Sequence, residues 1–217
     1  MNKKHHFDLG GKTSYFLEKV NLVLKPAGFR FKKKNNAILF HKATLFGYNQ
    51  VYLSTAVEDR MLKITPFFYV RVNSVNMFAN PFLGCPEKLY GCNPTIGANL
   101  QNLGLDEDHL MVRTIGDVEA SLFIFEDIVE SRVLPFFNAF YSAARLDEEL
   151  NREERPTNLF LNEIIERPVV GTVAAMLNRN KRLSTLVDYY RRKLLLTTPR
   201  IEENYESLVK CMRIHCQ

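Results

Sequence analysis

A chain of 217 residues is long enough for one substantial core, or for one domain with a helical extension. Hydrophobic residues at 46% and charged residues at 24% lie near the globular average, which excludes a disordered or fibrous chain, and no run approaches the roughly 18 apolar residues that span a bilayer. The net charge of +5 is unevenly spread: residues 1–50 hold ten Lys and Arg against two Asp and Glu, a net of +8, whereas residues 106–155 hold five against thirteen, a net of −8. The two segments either complement one another within the fold or face different partners.

The start, "MNKKHHFDLGGK", has basic residues with no apolar stretch behind them and does not read as a secretory signal. Apolar residues at helical spacing, Phe16, Val20, Val23 and Leu24, predict a first helix with Ser14 as its cap, closed by Pro26 and Gly28. Two short β-like runs, "FRFKK" and "AILFHK", flank Lys34, Asn35 and Asn36 and predict a tight hairpin, because Asn tolerates the positive φ such a turn needs. A second hairpin is read from "YNQVYLSTAV" and "MLKITPFFYVRV" around "EDR". "NSVNMFAN" then reads as a short helix, the Pro- and Gly-rich "PFLGCPEKLYGCNP" as a loop, and "TIGANLQNL" as a fifth strand. After "LDED" comes a strand in "LMVRTI". A long helix follows, capped by Asp117 and bent near Pro135, with Leu122, Phe125, Ile128 and Val129 on one side. From about residue 155 the pattern is helical, with apolar stripes Leu183, Leu186, Tyr190, Leu194 and Tyr205, Leu208, Val209, Met212.

Candidate sites follow from charge and ligand chemistry. Arg30, Lys32, Lys33, Lys34 and Lys42 are of the kind that neutralises phosphates, with Phe29, Phe31 and Phe40 interleaved as stacking aromatics. Alternation along a strand separates the two sets, however, and leaves a solvated hairpin whose lysines discourage edge pairing, with Phe31 turned to the core. Asp106, Asp108 and His109 gather groups able to hold a divalent ion or do acid–base work, and in this position also read as a solvent-facing loop. Glu126, Asp127 and Glu130 form the polar side of the long helix. Phe67, Tyr69, Phe136, Phe137 and Phe140 are assigned to the core.

The four cysteines, Cys85, Cys92, Cys211 and Cys216, are expected as thiols of a reducing compartment. Their spacing, even with His215 beside Cys211, departs from the usual zinc pattern, and His5 and His6 lie at the terminus, so no metal and no cofactor is expected. None of the common phosphate-loop, dinucleotide, nucleophile-elbow or zincin motifs occurs.

The order of segments carries a further hint. A helix ending in "LKPAGFRFKKKNNAILFHK", the strands "VYLSTAV" and "LKITPFFYV", then "GANLQNLG" and the helix "DVEASLFIFEDIVESRVLPFFNAF" resemble the bacterial family called domain of unknown function 4304, over roughly residues 12–141. The resemblance implies a cytoplasmic protein of unassigned activity, akin in some members to immunity proteins that sit beside secreted toxins.

The sequence thus reads as an α+β fold, an antiparallel sheet of five or six strands covered by helices with a helical C-terminal part. The expected division is a core domain over 1–155 and a helical subdomain over 156–217 packed on it. The expected function is non-enzymatic cytoplasmic protein binding, of the immunity-inhibitor kind. Either the basic hairpin (Arg30, Lys32, Lys33, Lys34) or the acidic segment (Asp106, Asp108, Glu126, Glu130) makes contact. Nucleic-acid binding through the basic hairpin is the alternative, and an uncharacterised enzyme the third reading.

Overall fold

The computed structural model describes residues 9–34, 37–59, 61–84, 86–152, 166–194 and 199–215. Its strands form one antiparallel sheet in the order β1 (Arg30–Lys34), β2 (Ala37–Thr44), β3 (Gly47–Glu58), β4 (Met61–Val72) and β5 (Ile96–Asn99), with β6 (Leu110–Val112) also paired to β4. This is the α+β architecture the sequence predicts, with a helical C-terminal part. The chain divides into two compact units. One takes residues up to Thr44 with Tyr48–Tyr69 and Ala98–Asn138; the other takes Leu45–Gly47, Val70–Gly97 and residues from Ala139 onward.

In the first unit, α1 (Leu9–Leu24) already runs at Leu9, so Ser14 sits inside the helix and does not cap it. Phe16, Val20 and Leu24 recur every four residues and are buried. The helix ends because Gly28 takes φ 88°, letting the Phe29 N–H reach the Leu24 carbonyl (3.2 Å) and the Gly28 N–H reach that of Lys25 (2.9 Å). These are the two bonds of a Schellman motif, which only a residue at ease with positive φ closes cheaply. The chain then enters β1, where Lys34 stands opposite Ala37 and Phe31 opposite Phe40. The hairpin is as expected, and Asn35 and Asn36 lie outside the described residues.

Phe31 does not reach the core. It shares the inward side with Phe40, the rings 5.4 Å apart, but β1 heads the strand order and leaves Phe31 44% exposed while Phe40 is buried.

On β4 burial alternates: Leu62, Ile64, Phe68 and Val70 are buried, and Lys63, Thr65, Phe67 and Tyr69 are half-buried. Phe67 and Tyr69 therefore leave the core to which the sequence assigns them, because a strand sends alternate side chains to opposite faces. The register Leu62↔Val112 and Ile64↔Leu110 seats β6 at one end of β4.

The long helix opens one turn earlier than Asp117. Thr114 is the N-cap and accepts the Asp117 N–H, while the Asp117 carboxylate accepts the N–H groups of Arg113 and Thr114 at 2.8 Å each. Asp117 is thus the return half of a capping box. α3 (Ile115–Ile128) passes through a π-helical turn, Val129–Val133, into α4 (Leu134–Ala139). The Leu134 N–H bonds to the carbonyl of Val129, five residues back. The wide turn sits just before Pro135, which has no N–H to continue the ladder. Leu122, Phe125, Ile128 and Val129 are buried as expected, and ring contacts Phe16–Phe125 (6.4 Å), Phe29–Phe137 (5.5 Å) and Phe68–Phe137 (6.5 Å) form an aromatic core.

In the second unit, α2 (Asn73–Ala79) is followed by a loop with three-residue 3₁₀ turns. The loop is held by buried side chains: the amide of Asn76 donates to the carbonyls of Asn93 (3.1 Å) and Pro94 (3.3 Å), that of Asn80 to the carbonyl of Tyr90 (2.8 Å), and the Arg71 guanidinium to the carbonyl of Asn93 (2.5 Å). Gly47 is required where Phe46 turns into β3, since a Cβ there would stand 2.1 Å from the Arg71 carbonyl oxygen. α5 (Ala143–Leu150), absent from the sequence reading, is capped by Ser142. α6 (Glu166–Leu177) is buried from Arg167 through Ala175 and packs against α2, α5, α7 (Leu183–Leu194) and α8 (Pro199–His215). A helix apolar on every side belongs at the centre of a bundle. Of the predicted stripes, Leu186, Tyr190, Leu194, Tyr205, Leu208, Val209 and Met212 are buried. Among the described residues no helix is long and apolar enough to cross a membrane.

Candidate functional site

The acidic helix α3 carries the most unusual surface. It holds Asp117, Glu119, Glu126 and Asp127 with no Lys or Arg, and its inward residues are already spent on the core. That leaves Phe123 outward at 77% exposed, with Ile124 at 46% and, on the neighbouring α1, Leu22 at 57%. Glu119, Phe123 and Glu126 are spaced by four and three residues, so they form one stripe. With Lys19 and Leu22 of α1 this stripe lines an open groove of about 460 Å³.

The groove is braced rather than incidental. The Tyr15 hydroxyl donates to the Glu119 carboxylate, which raises the tyrosine's pKa above its ordinary value, and the Lys19 ammonium lies 5.3 Å from the Tyr15 ring centre. Two turns of helix from different parts of the chain are thereby held side by side. The result is a large aromatic side chain in water, flanked by carboxylates.

On the other side of α3 lies a wider depression of about 620 Å³, lined by Asp106, Glu107 and His109 facing Ser121, Ile124 and Ile128. Here His109 Nδ1 and Asp108 Oδ1 are 2.5 Å apart, and this hydrogen bond holds the Asp108 carboxyl below its ordinary pKa. Glu107 stands 4.0 Å from the same ring nitrogen. Among the described residues no group of three or more His, Cys, Asp or Glu has the geometry to hold a metal ion. The acidic residues named from the sequence therefore flank one helix: Glu126 on the α1 side, Asp106 and Asp108 by the second depression, and Glu130 exposed in the π turn.

The basic candidates separate as alternation requires. Arg30 and Lys32 are exposed on the side of β1 opposite Phe31; the side chains of Lys33 and Lys34 lie outside those described. Phe29 and Phe40 are buried, so neither is available to stack on a base. Cys92 is exposed and Cys211 half-buried, both as thiols, while His5, His6, Cys85, the His215 side chain and Cys216 fall outside what is described.

Polar clusters elsewhere serve the framework. Buried Asp147 accepts the side-chain amides of Asn151 (2.6 Å), Asn178 (2.7 Å) and Asn180 (3.0 and 2.9 Å to its two oxygens). Arg167 donates twice to the Leu150 carbonyl, and Tyr190, whose phenol burial pushes up to about 12, donates to Asn151 Oδ1 at 2.8 Å. These bonds tie α5, α6 and α7 together.

Sequence reasoning missed Phe123, Ile124 and Leu22. The signal was present: at about 100° per residue, Phe123 falls some 160° from Phe125, so assigning Phe125 to the core assigns Phe123 to solvent. Compared with known proteins, the chain matches no family model, no curated protein and no solved structure.

Proposed function

We propose that this chain is a non-enzymatic binding protein of the immunity-inhibitor kind, working in the cytoplasm, and that its contact surface is the face made by α1 and α3. The observation that carries this reading is Phe123, 77% exposed between Glu119 and Glu126. A ring left in water forgoes the 1.5–3 kcal/mol or so that burial would contribute. Aromatic anchors within a polar rim are where protein interfaces concentrate their affinity.

The carboxylates set the partner's character. A helix with four acidic and no basic residues repels an acidic surface and steers a basic one into encounter, so the partner is a protein with a basic patch around an apolar pocket. Blocking such a patch by occupying it is how an inhibitor acts with no chemistry of its own. The resemblance to domain of unknown function 4304 supports the same class.

The test is capture from extracts of the source cell by immobilised full-length chain, comparing wild type with Phe123→Ala, Glu126→Lys and Lys32→Gln. A partner held by wild type and Lys32→Gln is expected to be lost or weakened at least tenfold by Phe123→Ala, while stability moves by less than about 0.5 kcal/mol, as for other exposed side chains. A partner retained equally by all variants contradicts the assignment of the face.

A further inference from the structure

The depression of about 620 Å³ beside α3 shares no residue with the groove between α1 and α3, and its lining changes character along the helix. Asp117, Ser121, Ile124 and Ile128 follow one another at intervals of four, three and four residues and so form one stripe. Its first turn is polar and the next two are apolar. Across from it, the segment from Leu105 to Met111 adds Asp106, Glu107 and His109 beside Leu105, Leu110 and Met111.

Ser121 is the group that the fold leaves without a task. It is 6% exposed, yet its hydroxyl, on the lining of the depression, bonds to no described residue. A serine inside a helix commonly returns its hydroxyl to the carbonyl four residues back, as Ser207 does to Glu203 at 2.8 Å. A buried polar group costs free energy until it is paired, so Ser121 is placed to meet a hydrogen-bonding group that enters the depression. The charge around it has one sign. Asp106, Glu107 and Asp117 line the depression, His109 is engaged with Asp108 at 2.5 Å, and no Lys or Arg is among the described lining residues. Lys63 and Arg113 act on Asp108 and Asp117 through charge but do not line it. Among the described residues these acids lack the geometry to hold a metal ion, so the cation that matches them is organic.

We infer that this depression binds a primary alkylamine, its ammonium among Asp106, Glu107, Asp117 and the Ser121 hydroxyl and its tail along Ile124 and Ile128. An ammonium has three N–H donors and no acceptor, which suits a hydroxyl and carboxylates converging on one point. Ile124 is 46% exposed, and a tail laid over it takes apolar surface out of water. From Ser121 to Ile128 the helix rises about 10 Å, the reach of an extended octyl chain. The volume is in the range of small-molecule sites. The site is independent of the α1–α3 face, so either assignment stands if the other fails.

The test is isothermal titration calorimetry of the full chain with n-octylamine, n-octanol, octanoate and n-butylamine. Octylamine is expected to bind saturably. Octanol, which lacks the charge, and butylamine, which keeps the head but mimics only a lysine side chain, should each bind at least about tenfold more weakly, and octanoate not at all. Asp106→Asn combined with Glu107→Gln changes two exposed side chains and should weaken octylamine about tenfold. Ser121→Ala should weaken it severalfold without lowering the unfolding midpoint, since no bond within the protein is lost. Phe123→Ala should leave amine binding unchanged. No saturable binding of octylamine, equal binding of octanol or butylamine, or unaltered affinity in both the acidic double variant and Ser121→Ala would overturn the assignment.

Discussion

At the scale of single residues, Thr114 and Asp117 decide where the acidic helix begins. Thr114→Ala removes an N-cap and is expected to destabilise the protein by about 1 kcal/mol in urea unfolding. Backbone N–H bonds from Thr114 and Arg113 hold the Asp117 carboxyl below its ordinary pKa. A depressed folded value means the unfolded chain binds the proton more readily. The stabilisation is therefore present above the ordinary carboxylate range and is lost as pH falls through the depressed value. The stability gap between wild type and Asp117→Asn should accordingly be full at neutral pH and close in acid. A gap that does not change with pH would show that the carboxylate charge plays no part. Asp147 plays the same kind of role inside the second unit. Asp147→Ala strands the amides of Asn151, Asn178 and Asn180 and is expected to cost about 1–3 kcal/mol or more, measured by chemical denaturation.

Among elements, what the sequence revealed and what it hid follow one physical line. Periodicity reports which face is apolar, so α1, both hairpins, α2 and the buried stripe of α3 were all legible. It does not report where an element sits in the sheet. Phe31 alternates like a core residue but lies on the first strand of the order, and Phe67 and Tyr69 look like core aromatics until the parity of Ile64 and Phe68 is known. Caps are local, yet Asp117 was misplaced by one turn because the capping box uses an acidic residue at its third helical position. From sequence, Pro135 signals a bend, and the π turn at Val129–Val133 that precedes it was not foreseen. The candidate site was half visible: Glu126 and Glu130 were named for charge, while Phe123, the ring between the carboxylates, was passed over as part of an apolar run.

Across the whole molecule, the C-terminal helices matter through a partner that local pattern cannot reveal. α6 packs on α2, which lies some ninety residues earlier in the chain, as well as on α5, α7 and α8. Truncation after Asn158 removes α6 and strips cover from Val75 and Ala79 of α2 and Leu146 and Leu150 of α5. The expected product aggregates and binds hydrophobic dyes. A soluble fragment with cooperative unfolding would instead make the C-terminal helices a separable module. Part of the charge division of the sequence also takes a spatial form within the first unit, with Arg30 and Lys32 on the sheet and the carboxylates of Asp117, Glu119, Glu126 and Asp127 on α3. Two faces of opposite sign favour partners of opposite charge, which is why the acidic face is assigned a basic protein.

The most direct test of that assignment is backbone hydrogen exchange of the full chain, alone and bound to the purified partner it captures. Slowed exchange is predicted in peptides covering residues 15–24 and 115–130, with the β1–β2 hairpin unchanged. Protection concentrated in that hairpin or in α6–α8, with α1 and α3 exchanging as in the unbound chain, would contradict it.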